Sequence, residues 1–340
     1  MSTLRIDGPH FEDFTLGQEF SAPSITITDA HATFYSALFA DRMRLPLDRH
    51  LSHRVTGDPR ALAHANLVIN LVCGQTTYAS QHVKGNLFYR GLLLKRPVFI
   101  GETLYTTTKV VGLKQNKNKP GRDATGMVAL EMLTHNQDGQ EIMQFWRCPM
   151  IPCRDPQAET GRDDDFSWIK DSFAREELFA ALPRGWNLEH LESPHVPLRT
   201  PDLAPGDAIE IGPRDTVTCA PELVRMTLNI AYTHTDASRS YLGKRLVYGG
   251  HTIAFALSQL TRALPNLLSV VAWRGCDHLG PVLEDDIIST RAVVQDIIAA
   301  PVGGRIYDLE IESFAGRFDP ESKALKQEKV LLQKLLVWGV

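Results

Sequence analysis

The feature that most constrains the fold of this chain is an internal repeat whose period is about half of its 340 residues. Each half passes in the same order through a glycine turn, an alternating segment, a short helical segment, an irregular loop, a long apolar segment and several extended segments. Solenoid repeats are much shorter, at about 20 to 50 residues. The sequence therefore predicts two copies of one domain.

A long apolar segment lies near the middle of each half, at residues 65–78 and 251–264. Both segments are apolar nearly all round and contain small residues, which is typical of a helix that is buried on most sides. The extended segments that follow alternate in polarity and are rich in β-branched residues, as strands are. Each half is thus predicted to be one helix wrapped by an antiparallel sheet, an α+β arrangement.

The repeat also predicts the domain organisation. We expect an N-terminal domain at residues 1–153 and a C-terminal domain at residues 204–340. The residues between them, 154–203, are rich in proline and acidic residues and are predicted to form a linker that crosses the surface. This linker is expected to contain one helix, around residues 171–182.

The composition limits the possible partners and the compartment. A net charge of −4 and an isoelectric point near 6.3 argue against a surface for polyanions, so nucleic acid is not an expected partner. No apolar run approaches the roughly 18 residues needed to cross a membrane, and the N-terminal residues lack the apolar core of a signal peptide. Five cysteines in a chain of this size do not suggest a disulfide framework, and Cys148 and Cys153 lack the second pair that a zinc site needs. A cytoplasmic protein without a membrane span or a bound metal is predicted.

The residues best suited to chemistry lie just before the second apolar segment. A polar loop carries Asn229, His234 and Asp236, and a glycine pair, Gly249 and Gly250, opens the apolar segment that follows. The start of a helix presents unpaired backbone N–H groups and partial positive charge. A neutral histidine that faces such a start can act as a general base on water while the amides stabilise negative charge on a carbonyl oxygen.

The order of these segments, with related motifs at residues 96–102 and 280–286 between the first two strands of each set, resembles the hotdog fold. More narrowly, the polar loop and the glycine that opens the apolar helix resemble the MaoC-like, (R)-specific enoyl-CoA hydratase family in its fused double-hotdog form. Members of that family reversibly hydrate 2-enoyl-CoA thioesters. In them an Asp and a His position and activate the water, and a backbone N–H at the helix start polarises the thioester carbonyl.

The resemblance implies one active site, in the C-terminal half. It puts His234 at the family's catalytic histidine, Asn229 at its catalytic aspartate and Gly250 at the helix-start glycine. An amide cannot accept a proton at neutral pH, so we expect His234 to transfer the proton and Asn229 to position the water or the thioester. In the N-terminal half Asp41 falls at the aspartate position but Pro46 falls at the histidine position, which predicts a degenerate site there. The residues expected to contact the substrate are Asp236, Tyr248, His251, Asp41 and His64.

Three of these residues also suit structural roles. His251 fits a capping or buried polar role as well as substrate contact, Tyr248 fits the core, and Asp41 fits a relic of a lost site. Six cations are candidates for charge-assisted bonds to the phosphates of coenzyme A. They are Arg90, Lys95, Arg96, Arg239, Lys244 and Arg245.

The implied activity is that of an enoyl-CoA hydratase or 3-hydroxyacyl-CoA dehydratase. Its substrate would be a branched dicarboxylic thioester such as mesaconyl-CoA, or a medium-chain enoyl-CoA. No cofactor is expected, because coenzyme A is part of the substrate. An acyl-CoA thioesterase and a non-catalytic acyl-thioester-binding protein remain alternatives. A fused chain already supplies two hotdog units, so both a monomer and a homodimer fit the sequence.

Overall fold

The computed structural model of the chain describes residues 3–4, 6–191, 201–319 and 321–340. In this part the chain forms eight α-helices and twelve strands, with short 3₁₀ turns between some of them. The helices are α1 (Asp29–Phe39), α2 (Arg44–Leu47), α3 (Arg49–Thr56), α4 (Ala65–Gln75), α5 (Arg175–Ala181), α6 (Ala220–Met226), α7 (Tyr232–Thr235) and α8 (Gly249–Ala263). The strands are β1 (Glu19–Ser21), β2 (Ile25–Thr26), β3 (Gly85–Leu94), β4 (Thr103–Gln115), β5 (Thr125–His135), β6 (Glu141–Pro152), β7 (Ala208–Glu210), β8 (Asp215–Thr216), β9 (Leu267–His278), β10 (Ile287–Ala299), β11 (Arg305–Asp319) and β12 (Ala324–Gly339).

The twelve strands form one antiparallel sheet in the order β1-β4-β5-β6-β3-β9-β12-β11-β10-β7, with β2 beside β4 and β8 beside β10. Read outward from the centre, the two halves have the same strand order, and β3 pairs with β9 to join them. In this central pair Tyr89 lies opposite Cys276, and Arg90 lies opposite Gly275. The predicted α+β double hotdog is confirmed, because each half contributes one long helix and half of a continuous sheet.

The long helices α4 and α8 form the centre of the core. Every residue of α4 is buried, and so are residues 250–261 of α8. A helix that is apolar on all sides needs partners all round, and here the sheet and the other central helix supply them. The predicted segment 65–78 is helical to Gln75 and then continues as a 3₁₀ turn, Thr76–Ser80. Among the described residues, no helix has the length and apolar character that crossing a membrane requires.

The loops that follow α1 and α6 have the same backbone conformation. The residues before Asp41 and Asn229 both have positive φ, at +49° and +57°. The Oδ1 atoms of Asp41 and Asn229 then accept hydrogen bonds from the amide two residues further on, at 2.9 and 3.0 Å. The short helices α2 and α7 come next, so Pro46 stands where the second half has His234.

Each of these loops is tied to the other half, one to the central helix α8 and one to the 3₁₀ turn that continues α4. The Arg42 amide donates to Thr261 Oγ1 at 3.1 Å, and the Ile230 amide donates to Thr77 Oγ1 at 3.0 Å. These matching bonds agree with an approximate twofold relation between the two halves, as does the matching strand order on either side of the β3–β9 pair. The loop of one half therefore lies against the helix of the other, and a site built on the loop contains residues from both halves.

The described part of the predicted linker 154–203 covers the outer face of the sheet. Its helix, α5, is shorter than the predicted 171–182, and Leu178 is buried with Trp338 of β12. Neighbouring residues of a strand face opposite sides of its sheet. The side chain next to Trp338 in β12 faces the central helices, so Trp338 and Leu178 lie on the outer face of the sheet. Residues 192–200 of the linker lie outside the described residues.

Candidate active site

A cavity of about 260 Å³ lies between the two halves at the start of α8. The first half lines it with residues of α4, the 3₁₀ turn after α4, β3 and β6. The second half lines it with residues of the loops on either side of α7, the start of α8 and the end of β9. Of the residues predicted at the active site, His234, Asn229 and Tyr248 line this cavity.

His234 lies in α7 with its ring at the cavity. Its Nδ1 is 2.9 Å from the Leu246 carbonyl oxygen. A carbonyl only accepts hydrogen bonds, so in the neutral ring Nδ1 carries the proton and Nε2 keeps its lone pair. Burial lowers the pKa of His234 from 6.5 to about 4, and the bond to the Leu246 carbonyl acts in the opposite direction. The imidazole is therefore neutral at physiological pH, which is the state a general base requires.

Asn229 is buried at the edge of the same cavity. Its Oδ1 accepts from the Ala231 amide, which fixes the orientation of the side chain. Its Nδ2 is buried and has no hydrogen-bond partner among the described residues. Buried polar groups are normally paired. The amide is thus placed to donate to an oxygen atom of a ligand, but it cannot take up a proton.

Two glycines open the start of α8. A Cβ on Gly249 would lie 2.4 Å from Cε1 of His278, and a Cβ on Gly250 would lie 1.9 Å from Oδ1 of Asn70. Neither position has room for a side chain. No side chain of these two residues therefore covers the backbone amides of the first helical turn. Gly249 lines the cavity, and Gly250, the predicted helix-start glycine, follows it in the same turn.

His278, at the end of β9, also lines the cavity but was not predicted from the sequence. Burial lowers its pKa to about 4, the Asp277 carboxylate raises it, and the nearby His234 lowers it further. The cavity therefore holds two neutral imidazoles close together. The repeat offered a signal for it. The equivalent residue of the first half, at the end of β3, is the apolar Leu94, so a histidine at this position distinguishes the second half.

Arg147 is a second residue of the cavity that was not predicted. It lies on β6, and its Nη2 donates to the Thr76 carbonyl at 2.8 Å and to Ser80 Oγ at 2.9 Å. A cation in a strand whose neighbours are mostly apolar was the available signal. The first half thus contributes a buried positive charge to a site whose histidines come from the second half.

Asp41 and His64 do not line the cavity. His64 Nε2 lies 3.0 Å from Asp41 Oδ1, and both side chains are buried. The ring of Tyr35 packs against His64, with 4.8 Å between the ring centroids. The two residues therefore belong to a buried polar cluster of the first half, and the expected contact with substrate is not what this geometry shows.

The place in the first half that corresponds to the cavity is nearly filled. The space there is about 10 Å³. Pro46 lines it at the position of His234, and Leu94 lines it at the position of His278. Within the described part of the chain, the first half has no open counterpart of the cavity.

Asp236 and His251 also lie outside the cavity. Asp236 is exposed, and its Oδ1 accepts from the amide and hydroxyl of Ser238 at 2.9 and 2.7 Å. His251 is fully buried, with its ring 4.9 Å from that of Phe39 and 5.0 Å from that of Phe255, measured between centroids. Of the two roles considered for His251, the structure shows the buried polar role. Asp236 caps a surface turn and does not contact the cavity.

Several cations expected at the phosphates of coenzyme A are bound to carboxylates, whereas Lys84 lines the cavity. Among the described residues, no three His, Cys, Asp or Glu side chains come together as metal ligands. The paired cations are Arg90 with Asp277, Arg239 with Asp7, Arg245 with Glu284, and Lys95 with Glu141.

Comparisons with known proteins bear on both fold and family. No family model matches the chain. The chain is 30% identical to the beta-methylmalyl-CoA dehydratase of Chloroflexus aurantiacus over 333 residues, which is 94% of this chain and 91% of that protein. It is 29% identical to the mesaconyl-CoA hydratase of Cereibacter sphaeroides over 298 residues, which is 85% of this chain and 84% of that one.

A similar solved structure also has the double-hotdog fold. A double-hotdog protein of Mycobacterium tuberculosis is 38% identical, with a TM-score of 0.88, over 99% of this chain and 100% of that chain. The similarity to the Chloroflexus enzyme also extends through both halves. The chain therefore belongs to the MaoC-like family of CoA-thioester hydratases and dehydratases, in its fused double-hotdog form.

Proposed function

We propose that this protein is a hydro-lyase that reversibly adds water to the double bond of a 2-enoyl-CoA thioester. The observation that carries the proposal is the neutral imidazole of His234 in the same cavity as the glycine start of α8. Hydration needs a base for the water and donors for the oxygen that gains negative charge. The names of the two enzymes similar to this chain, a dehydratase and a hydratase of CoA thioesters, support the same chemistry.

In the proposed reaction, Nε2 of His234 takes a proton from water as the water oxygen bonds to the β-carbon of the enoyl group. The electron pair of the double bond moves towards the thioester, and the resulting enolate oxygen accepts from the amides at Gly249 and Gly250. The imidazolium then gives its proton to the α-carbon, which restores the neutral base. A low pKa makes that imidazolium a strong acid. Asn229 Nδ2 donates to the water oxygen and orients it.

We propose a short, branched dicarboxylic acyl group as the substrate, in keeping with the names of the two similar enzymes. The cavity of about 260 Å³ is at the small end of ligand sites, which commonly measure about 300 to 1,000 Å³. This size favours a short acyl group over a medium-chain one. The reaction requires no cofactor besides the coenzyme A that the substrate carries.

The proposed setting is the cytoplasm. All five cysteines are free thiols, as in proteins of reducing compartments. The two halves of one chain complete the site, so a monomer is sufficient for activity. A homodimer would form through the edges of the sheet, at β1 or β7.

The test is to incubate the purified protein with mesaconyl-CoA and with crotonyl-CoA while following enoyl absorbance and free thiol. Hydration predicts a loss of enoyl absorbance without release of thiol. Release of thiol would indicate a thioesterase, and no change with either compound would indicate a binding protein; each result contradicts the proposal. The described lining of the cavity contains no Asp or Glu, so the carboxylate expected of a thioesterase is not found there.

A further inference from the structure

Arg147 is a buried charged residue of the cavity that the proposed hydration step does not use, whereas Lys84 is only partly buried. Its side chain reaches the cavity from β6, and the residue is only 4% exposed. One of its nitrogens, Nη2, is bound to a carbonyl and a hydroxyl oxygen. Its Nε is buried and has no hydrogen-bond partner among the described residues.

The charge of Arg147 is not balanced by the protein. In the described part of the chain, no carboxylate forms an ion pair with its guanidinium, and both of its hydrogen bonds are to neutral groups. The described lining of the cavity contains no Asp or Glu. Burying a cation without an opposing charge is costly, so an anionic group on a ligand would supply what the protein lacks.

The groups around Arg147 are uncharged, and the Tyr248 hydroxyl donates to the Asn70 carbonyl at 3.4 Å. Burial raises the pKa of the Cys73 thiol to about 11, and the nearby Arg147 charge only partly offsets this rise. Burial also raises the pKa of Tyr89 and Tyr248, again against the effect of Arg147. Two protonated hydroxyl groups and a cation make this part of the cavity suited to an anion.

The fold itself does not require this cation. Arg147 lies opposite Tyr89 in the pairing of β6 with β3, and Leu335 lies opposite Trp273 in the equivalent pairing of β12 with β9. Leu335 is buried in the core of the second half. The same position in the same fold thus accommodates an apolar residue, and only the copy of this position that lines the cavity carries the charge.

We infer that Arg147 binds the distal carboxylate of a dicarboxylic acyl-CoA thioester and thereby selects it over monocarboxylic thioesters. The inference rests on the proposed hydratase function and names the residue that selects its dicarboxylic substrate. Charge-assisted hydrogen bonds from a guanidinium to a carboxylate are strong and directional. Since they form with the carboxylate and not with the carbons of the double bond, Arg147 determines specificity and does not take part in proton transfer.

The experiment compares mesaconyl-CoA with the methyl ester of its free carboxylate, which has nearly the same shape but no charge. For the wild-type protein we expect kcat/KM for the acid to exceed that for the ester by about 10²-fold or more, because a buried charge pair is lost with the ester. In Arg147→Leu this ratio is expected to fall by about the same factor, because no cation remains to distinguish the acid from the ester. Arg274→Leu is the control, since Arg274 is a sheet cation that pairs with Asp308 and does not line the cavity; its ratio stays at the wild-type value.

The outcomes separate the inference from the function on which it rests. If the wild-type protein hydrates crotonyl-CoA and the ester with the same kcat/KM as the acid, the role of Arg147 is overturned and the hydratase function still stands. An Arg147→Leu protein with the wild-type ratio does the same. A wild-type protein that hydrates none of these thioesters overturns both. Should Arg147→Leu not fold, Arg147→Gln, which keeps a polar side chain without the charge, takes its place with the same expected loss of discrimination.

Discussion

His234 directs its Nδ1 proton to the Leu246 carbonyl, so only Nε2 can exchange a proton with a ligand in the cavity. Replacing His234 with Asn keeps a donor at the position of Nδ1 for that carbonyl and removes the basic nitrogen. We expect kcat/KM for hydration to fall by about 10² to 10⁴, with the circular dichroism spectrum unchanged. A folded variant that hydrates at the wild-type rate would refute the role of His234.

The low pKa of His234 predicts the pH dependence of the rate. The base acts only in its neutral form, and burial keeps the pKa near 4. Acid therefore removes activity when the ring becomes protonated, so kcat/KM is expected to stay level around neutral pH and to fall as the pH approaches about 4. A profile of kcat/KM against pH checks this. An acid limb near 6.5, the ordinary value for histidine, would show that the ring is not buried as described.

His251 is the residue whose replacement should improve stability without loss of activity. Both of its ring nitrogens are buried without a partner among the described residues, and Leu67 holds the equivalent position in α4. Burial lowers the pKa of His251 to about 3, so the unfolded chain takes up a proton before the folded one, and stability is lost as the pH falls below about 6.5. His251→Leu removes this loss.

The measurement for His251→Leu is thermal unfolding of wild type and variant at pH values from neutral to acid, with kcat/KM at neutral pH. We expect the stability difference in favour of the variant to grow as the pH falls, and kcat/KM to be retained because the ring lies outside the cavity. A large loss of activity in a stable variant would place His251 at the substrate after all.

At the scale of elements, the position of the catalytic loop depends on the close approach of α4 to the end of α6. A Cβ on Gly74 would lie 1.9 Å from the Thr227 carbonyl oxygen, two residues before Asn229. Gly74→Ala must therefore displace the backbone of that loop. We expect it to lower the free energy of unfolding by about 1 to 3 kcal/mol and to lower kcat/KM as well.

Urea unfolding and hydration kinetics test Gly74→Ala together. Gly212→Ala is the matched control, because no atom lies within 4 Å of the added Cβ and its φ is not positive. The control should change neither quantity. If Gly74→Ala behaved like Gly212→Ala, the contact between α4 and the loop would not position the site.

The helices and strands were predictable because their signals are local. Apolar residues all round predicted the two central helices, and alternation predicted the long strands of each half. The repeat also aligns Asp41 with Asn229, and the matching turns at these two residues agree with that alignment. The ends of elements were predicted less accurately. The second central helix was predicted from residue 251 but begins at Gly249, where the distant His278 ring leaves no room for a Cβ.

The candidate site was predictable only where its residues are close in sequence. His278 and Arg147 come from β9 and β6, which meet at the cavity because β3 pairs with β9 across the two halves. An alternating pattern predicts which face a residue occupies but does not predict the neighbour of its strand. Asp236 was expected near the substrate because the family resemblance places it in the catalytic loop, yet its carboxylate caps the turn at Ser238.

At the scale of the whole molecule, duplication has left one open cavity and one filled counterpart among the described residues. The filled counterpart contains Pro46 and Leu94 where the open one has His234 and His278. We therefore expect one substrate site per chain. Calorimetric titration with methylsuccinyl-CoA, the saturated analogue of mesaconyl-CoA, which lacks the double bond and so does not react, should give one equivalent per chain. Two equivalents would contradict the difference between the halves.

The most direct test of the account is a crystal structure of the protein with bound methylsuccinyl-CoA. We expect the thioester carbonyl oxygen within hydrogen-bond distance of the Gly249 or Gly250 amide, with His234 Nε2 facing the β-carbon. An acyl group bound outside the cavity, or beside Asp41 and His64 in the first half, would contradict it.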